Sequence, residues 1–319
     1  MSDVTMERAI TDPATPARAR PPAAPVVQRG GYIALSSPDP GAAAAFAVDH
    51  MGLALVHVDE VGRHYLAAGG LDPYSLVYAP GEKGIAHIAY LVRDAEALDA
   101  VERRLVETGI PVERLRPDSI WRGGPAVRVQ SPAGHDVHLI TGVNVPVPMA
   151  ALVASTTDAP APISFDHAAP RVVDVDAEMA FLGEVLGLKE TAQVIAPGVG
   201  PVIAFFRAHT LFHCYTVVRG SANGLHHFQL TLKNAPAVHA AYQRMREGGA
   251  VELVWGPVRH GPGHNVAYYF RDYDGHFVEY SAEEEVILED SSYVVQHWSA
   301  EDPKFADEWG TAPPAVFFA

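Results

Sequence analysis

The chain carries two hydrophobic rhythms in alternation. GIAHIAYLV at 84–92 and GLHHFQLTL at 224–232 are alternating, β-rich runs and read as strands. Behind each lies a stretch with apolar residues three or four apart: Leu98, Val101 and Leu105, then Val238, Tyr242 and Met245. That spacing predicts a helix with one buried face, and Gly109 and Gly248 stand where its C-terminal caps belong. Two further helices are predicted where Asp39 precedes PGAAAAFAVDHMGL and Asp176 precedes AEMAFLGEVLGL. Each opens on an acidic N-cap and ends on a glycine, Gly52 or Gly187. SPAGHDVHLI (131–140) matches DYDGHFVEYS (272–281) as a glycine turn entering a strand.

These segments recur as four units starting near residues 30, 85, 163 and 224. Each reads as a strand, a helix and two or three strands. A single βαβββ unit leaves one concave sheet face open, so the units are expected to pair. The fold class is therefore α+β: two domains, each of two paired βαβββ modules forming a curved, cup-like mixed sheet. Residues 30–143 form the N-terminal domain and 163–285 the C-terminal domain. The proline-flanked stretch 144–162 is read as a linker, and the Pro-, Ala- and Arg-rich residues 1–29 as a disordered tail. No basic start is followed by a secretory apolar run, and no stretch approaches the apolar length of a membrane helix.

Composition narrows the function classes. Apolar residues make up 48% and charged residues 19%, an ordinary globular balance. The formal net charge of −15 disfavours nucleic acid and anionic membrane as partners. The lone Cys214 can form neither an internal disulfide nor a thiolate metal cage, which fits a cytoplasmic location. The 16 histidines are the unusual feature.

Three residues on C-terminal-domain strands form a candidate metal site. His167 lies in ISFDHAAP, His227 in LHHFQL and Glu279 in HFVEYS. Two imidazoles and one carboxylate make the facial triad that suits non-haem Fe(II) with open coordination positions. His226 neighbours His227 and by strand alternation is expected to face the other side of the sheet. His276, in an Asp-Gly-His turn, reads as structural. The shift that relates Gly187 to Gly52 takes His167 to Tyr32, while His87 and His138 occupy the other two equivalent positions. The N-terminal copy thus lacks its first imidazole and is expected not to bind metal.

The pattern resembles the type I extradiol ring-cleaving dioxygenases of the vicinal oxygen chelate superfamily, over roughly residues 30–285. RHGPGHNVAYYFRDYDGHFVEY (259–280) carries the likeness most specifically, with His260, Tyr269, the Asp272–His276 turn and Glu279 in order. His213, in LFHCYTVV shortly before the strand that bears His227, fits the place of a further active-site histidine. The resemblance implies Fe(II), with Mn(II) as the alternative metal, and a catecholic substrate cleaved by O2 to a muconic-semialdehyde-type product in aromatic catabolism. It also implies roles: His213 as acid/base beside O2, Tyr269 as a hydrogen-bond partner of the catechol oxygen, His260 as stabiliser of developing charge. Members of the family assemble as homo-oligomers, and the same is expected here.

Phe205, Phe206 and Trp255, with Arg259 nearby, are read as the substrate pocket. They favour an alkyl, aryl or halogen ring substituent over an acid. Residues 286–319, with Tyr293, Trp298, Phe305 and Trp309, read as an aromatic tail that is either a lid or an oligomer contact. Two other functions share the fold: a glyoxalase-like metal-dependent isomerase or lyase, and a metal-free small-molecule binding protein.

Overall fold

The computed structural model describes residues 26–117, 119–142 and 161–318. The expected tail lies outside these residues up to position 25, and the expected linker lies outside them from 144 to 160. The first strand begins at Val27, slightly ahead of the boundary read from sequence.

The N-terminal half forms one eight-stranded sheet in the order β2-β3-β4-β1-β5-β8-β7-β6. Its strands are β1 (Val27–Ser37), β2 (Ala54–Val58), β3 (His64–Ala67), β4 (Leu76–Pro80), β5 (Gly84–Val92), β6 (Val112–Leu115), β7 (Ala126–Gln130) and β8 (Asp136–Thr141). The C-terminal half repeats this with β9 (Ser164–Val172), β10 (Lys189–Ala196), β11 (Gly200–Arg207), β12 (Tyr215–Arg219), β13 (Gly224–Thr231), β14 (Leu253–Arg259), β15 (Val266–Arg271) and β16 (Phe277–Ala282). A ninth strand, β17 (Gln296–Ser299), comes from the C-terminal segment and joins parallel to β10.

Each module closes on a parallel pair of its first and last strands: β1 with β4, β5 with β8, β9 with β12, β13 with β16. Antiparallel β1–β5 and β9–β13 pairs join the modules into cups. The duplication extends to register. Ala34 pairs with His87 as Ala169 pairs with His227, and Ala89 faces His138 as Gln229 faces Glu279.

Helices α1 (Pro40–Phe46), α2 (Ala95–Glu107), α3 (Val175–Ala180) and α4 (Ala235–Gly248) back the sheets. On α2, Leu98, Val101 and Leu105 are fully buried, and on α4 Val238, Ala241 and Met245 are buried. Two cap assignments shift. The α3 N-cap is Asp174, which accepts from the Ala177 amide, and not Asp176, which lies inside the first turn. The α4 cap is Gly249 at φ +67°, directly after Gly248. Asp174 follows Asp39 by the same interval at which Gly187 follows Gly52, so the corrected cap obeys the repeat more closely.

One apolar cluster runs through both halves behind the cups. The Tyr78 hydroxyl donates to Asp272 at 2.9 Å and the Tyr280 hydroxyl to the Met51 carbonyl, tying the halves together. The N-terminal cup is filled by its own aromatics, Tyr32, Tyr65, Tyr74 and Trp121. The C-terminal cup keeps a cavity. Among the described residues no helix is long and apolar enough to cross a membrane.

Candidate active site

His167, His227 and Glu279 come from β9, β13 and β16, three adjacent strands of the C-terminal sheet. All three are buried, and they offer ligand atoms within 4.8 Å of one another. The Nε2 atoms of His167 and His227 lie 3.2 Å apart, and Glu279 Oε2 is 3.1 Å from His227 Nε2. Burial and the neighbouring imidazoles hold His167 neutral, well below its ordinary pKa. Burial alone would raise Glu279, but His227 and His260 beside it hold its carboxyl well below the usual range.

The partners behind these groups fix which atom faces inward. His167 Nδ1 lies 3.0 Å from Asp166 Oδ2, so its Nδ1–H donates backwards and its Nε2 lone pair points into the cup. His227 Nδ1 lies 2.6 Å from His226 Nδ1, and His226 Nε2 lies 2.8 Å from the Phe317 carbonyl. With burial pushing the His226 pKa down to about 3, that ring is neutral. It then donates through Nε2 to Phe317 and accepts at Nδ1 from His227, so that His227 Nε2, 3.1 Å from Glu279 Oε2, is the ring atom turned into the cup. This corrects the expectation that His226 faces the opposite side. A register shift between Leu225 and His227 opens a β-bulge, and adjacent residues at a bulge escape strand alternation.

The other candidates border the same cavity, which has a volume of about 560 Å³. His213 lies just before β12, its ring centroid 4.2 Å from that of His167. Its Nδ1 abuts the Glu284 carboxylate, and Glu284 Oε1 also accepts from the His213 amide at 2.7 Å. Burial opposes the charged imidazole, yet Glu284, Asp166 and Glu279 together hold the His213 pKa above its ordinary value. His260, directly after β14, sits with Nε2 2.8 Å from the Tyr269 hydroxyl and Nδ1 2.7 Å from the Ala306 carbonyl. The carbonyl can only accept, so His260 donates from Nδ1; in the neutral ring Nε2, which also faces Glu279 Oε1 at 3.7 Å, is then the acceptor for the Tyr269 hydroxyl. Tyr269 faces the cavity; Tyr268 faces the core, donating to Met245 Sδ at 3.4 Å. Burial and Glu279 raise the Tyr269 pKa well above its ordinary value.

Among the residues read as the pocket, Phe205 and Trp255 line the cavity. Phe206 does not: next to Phe205 on β11, it faces the opposite side of the sheet and packs in the main core. Nor does Arg259, whose guanidinium turns away to Glu308 at 3.3 Å. His276 is buried in its turn, its amide donating to Asp272 Oδ1 at 2.7 Å. Residues 300–317 cross the cavity, with Ala300, Pro303, Phe305, Ala306, Pro313 and Phe317 on its wall.

Four contributors escaped the sequence reading: Asp166, His226, Glu284 and Asn265, whose amide donates to Glu279 Oε1 and Ser281 Oγ, each at 3.2 Å. Adjacency to a candidate ligand was a signal for Asp166. The others depend on a bulge or on loop placement that periodicity does not encode.

In the N-terminal cup, His87 Nε2 bonds the Tyr32 hydroxyl at 3.0 Å, and the His87 and His138 rings stack at 3.9 Å. Stacked rings do not converge on one point, and no carboxylate joins them among the metal-type clusters of the described residues. The C-terminal set does fit a divalent ion. Two imidazole Nε2 atoms and one carboxylate converge there, and each imidazole Nδ1 is already occupied.

A cupped pair of βαβββ modules with such a donor set defines a class. Residues 164–280 match the Glyoxalase/Bleomycin resistance protein/Dioxygenase superfamily, and residues 85–143 the Catechol 2,3-dioxygenase-like N-terminal domain. Residues 164–280 thus carry a domain of that superfamily and residues 85–143 a catechol 2,3-dioxygenase-like one, in a two-domain fold shared with extradiol dioxygenases of known structure. The chain is 26% identical over 261 residues to a metapyrocatechase of Pseudomonas sp. (strain CF600), spanning 78% of this chain and 84% of that one. Homoprotocatechuate 2,3-dioxygenase of Brevibacterium fuscum, solved with 3,4-dihydroxyphenylacetate, shares the fold at TM-score 0.82 and 22% identity, over 92% of both chains. A Mn(II)-bound glyoxalase of Novosphingobium aromaticivorans superposes at TM-score 0.79 and 21% identity, over 92% of this chain and 95% of that one. The fold alone therefore does not select the reaction.

Proposed function

We propose that the protein is an extradiol dioxygenase that opens a catechol-type ring with O2, giving a muconic-semialdehyde-type product. The observation that carries this reading is the placement of His213, Tyr269 and His260 around one cavity with His167, His227 and Glu279. A simple metal isomerase needs the second trio but has no evident use for the first.

His167, His227 and Glu279 would hold Fe(II), or Mn(II) in its place. The ion supplies Lewis acidity toward the catechol and an electron path between catechol and O2. The chain's own groups do the rest. Tyr269, with its proton directed to His260, positions a catechol oxygen and hands on the proton that this oxygen loses. His213, whose pKa Glu284 holds above the ordinary imidazole value, supplies a proton to oxygen in the ring-opening sequence and takes one back. Burial of His167, His213, His227 and Glu279 places these interactions away from bulk water, where they are stronger.

The wall selects the substrate. Phe205, Val202, Ile203, Val218, Trp255 and Phe317 make most of the wall apolar, Arg259 is turned away, and Arg219, the one Arg or Lys among the described residues of the wall, gives its Nε–H to the Pro201 carbonyl. We read the substrate as a catechol bearing an apolar substituent, metabolised in aromatic catabolism. Buried, reduced Cys214 supports a cytoplasmic setting. The open edge strand β2, with Leu55, Val56 and Val58 exposed, supports a homo-oligomer.

Anaerobic loading with Fe(II), then a panel of catechols, then air, tests the reading. Oxygen uptake with a yellow product supports it. Bound metal without oxygen uptake favours the glyoxalase-like alternative, and failure to bind any divalent metal favours a binding protein.

A further inference from the structure

The segment that crosses the cavity is fastened to the end of β14 at Asp307. Asp307 is 1% exposed, and its carboxylate accepts three backbone amides: Arg259 at 3.0 Å, Trp309 at 2.9 Å and Thr311 at 2.6 Å. Those bonds hold its pKa below the usual carboxylate range against the opposing effect of burial. Around it the backbone pairs with the end of β14: the Glu308 amide donates to the Arg259 carbonyl at 2.7 Å, and the Gly261 amide to the Phe305 carbonyl at 3.3 Å. The residue just before Asp307 is Ala306, whose carbonyl takes the His260 Nδ1 proton at 2.7 Å.

We propose that Asp307 is a positioning residue: its triple amide clasp holds the Ala306 carbonyl against His260 and so locks that imidazole in the Nδ1–H tautomer. In that tautomer alone Nε2 is an acceptor for the Tyr269 hydroxyl. Without the clasp, the carbonyl moves off, His260 samples the Nε2–H form, and the hydrogen bond to Tyr269 reverses or breaks. The catalytic consequence rests on the ring-cleavage reading; the tautomer lock does not.

The test uses the full chain labelled with 15N at histidine. Long-range proton–nitrogen spectra report the tautomer of each ring, and the His260 signals are those missing from H260Q. Wild-type His260 should show the Nδ1–H pattern. In D307A it should show a mixture of the two tautomers, and D307N, which keeps an acceptor oxygen for two of the amides, should fall between. Hydrogen exchange at 305–311 should accelerate in the same order. An unchanged Nδ1–H pattern in a folded D307A overturns the proposal. Where catechol turnover is found, D307A should lower kcat/KM about tenfold with metal content unchanged, and combining it with Y269F should add little further. Strictly multiplicative losses would contradict coupling through the His260–Tyr269 pair. Absence of turnover in the wild type refutes the ring-cleavage reading and leaves the spectra to decide the lock.

Discussion

His226 and His227 are neighbours in sequence whose Nδ1 atoms approach to 2.6 Å, on the same side of a strand that should separate them. The bulge at β13 makes this possible, and it builds a line of contacts from the Phe317 carbonyl through His226 to the inward-facing Nε2 of His227. A ligand imidazole oriented in this way loses its support if the outer ring is removed.

His226→Leu should therefore weaken Fe(II) binding by about 10–100-fold, the usual range for groups that orient a metal ligand. Titration of the metal-stripped protein with Fe(II), read alongside its thermal unfolding, checks this. Equal affinity in H226L and wild type would show that the Phe317–His226 contacts do not support the ligand.

Glu284→Gln should leave metal content unchanged and lower kcat, by about 10²-fold if proton transfer through His213 limits the rate. The contact of Glu284 with His213 Nδ1 and its bond to the His213 amide are the reason. Steady-state kinetics with metal analysis separates this from loss of the ion. A wild-type kcat would remove His213 from the proton pathway.

The cavity wall predicts a preference. Alkyl- or aryl-substituted catechols should show at least a tenfold higher kcat/KM than 3,4-dihydroxyphenylacetate, because an anionic substituent beside Trp255 and Phe317 would be desolvated, while Arg219, the one Arg or Lys among the described residues of the cavity wall, has its Nε committed to the Pro201 carbonyl. Trp255→Arg should narrow or invert the ratio. Competition assays with the two substrates measure it directly.

Asp272 gives a prediction on stability. It is 5% exposed, accepts from Tyr78 of the other half, and burial pushes its pKa up to about 7. The unfolded chain releases this proton near pH 4 and the folded chain holds it to about pH 7. The folded state thus binds more protons across that window, and stability from this group falls as pH rises, by at most about 1.4 kcal/mol per pH unit. Asp272→Asn abolishes the titration, so its stability relative to wild type should improve between pH 4 and pH 7. Denaturant unfolding of both proteins at several pH values reads the difference, and a constant difference would show that Asp272 is ionised in the fold.

The duplicated modules were legible because each repeats the same strand, helix and turn signals, and because one constant shift relates Gly52 to Gly187 and Tyr32 to His167. His167, His227 and Glu279 were legible for the same reason, since equivalent strand positions in paired modules face one cup. Alternation failed where the backbone departs from it, at the bulge that turns His226 inward. The N-cap expected at Asp176 falls at Asp174 for another reason, since an acid two residues earlier is equally able to cap the helix. Phe205 and Phe206 show the converse. Both looked suitable for a pocket, and strand alternation, applied to that pair, would have sent one of them to the core. Glu284, Asn265 and Asp307 act from loops, whose path periodicity does not specify.

Isotope incorporation tests the ring-cleavage account most directly. Fe(II)-loaded protein should be mixed with an alkyl- or aryl-catechol under 18O2 and the product analysed promptly by mass spectrometry. The account predicts a ring-opened product carrying both labelled oxygen atoms, with one O2 consumed per catechol, and no such product from His167→Ala. An intact ring, or an oxidised quinone without label, in protein shown to hold its iron would contradict it.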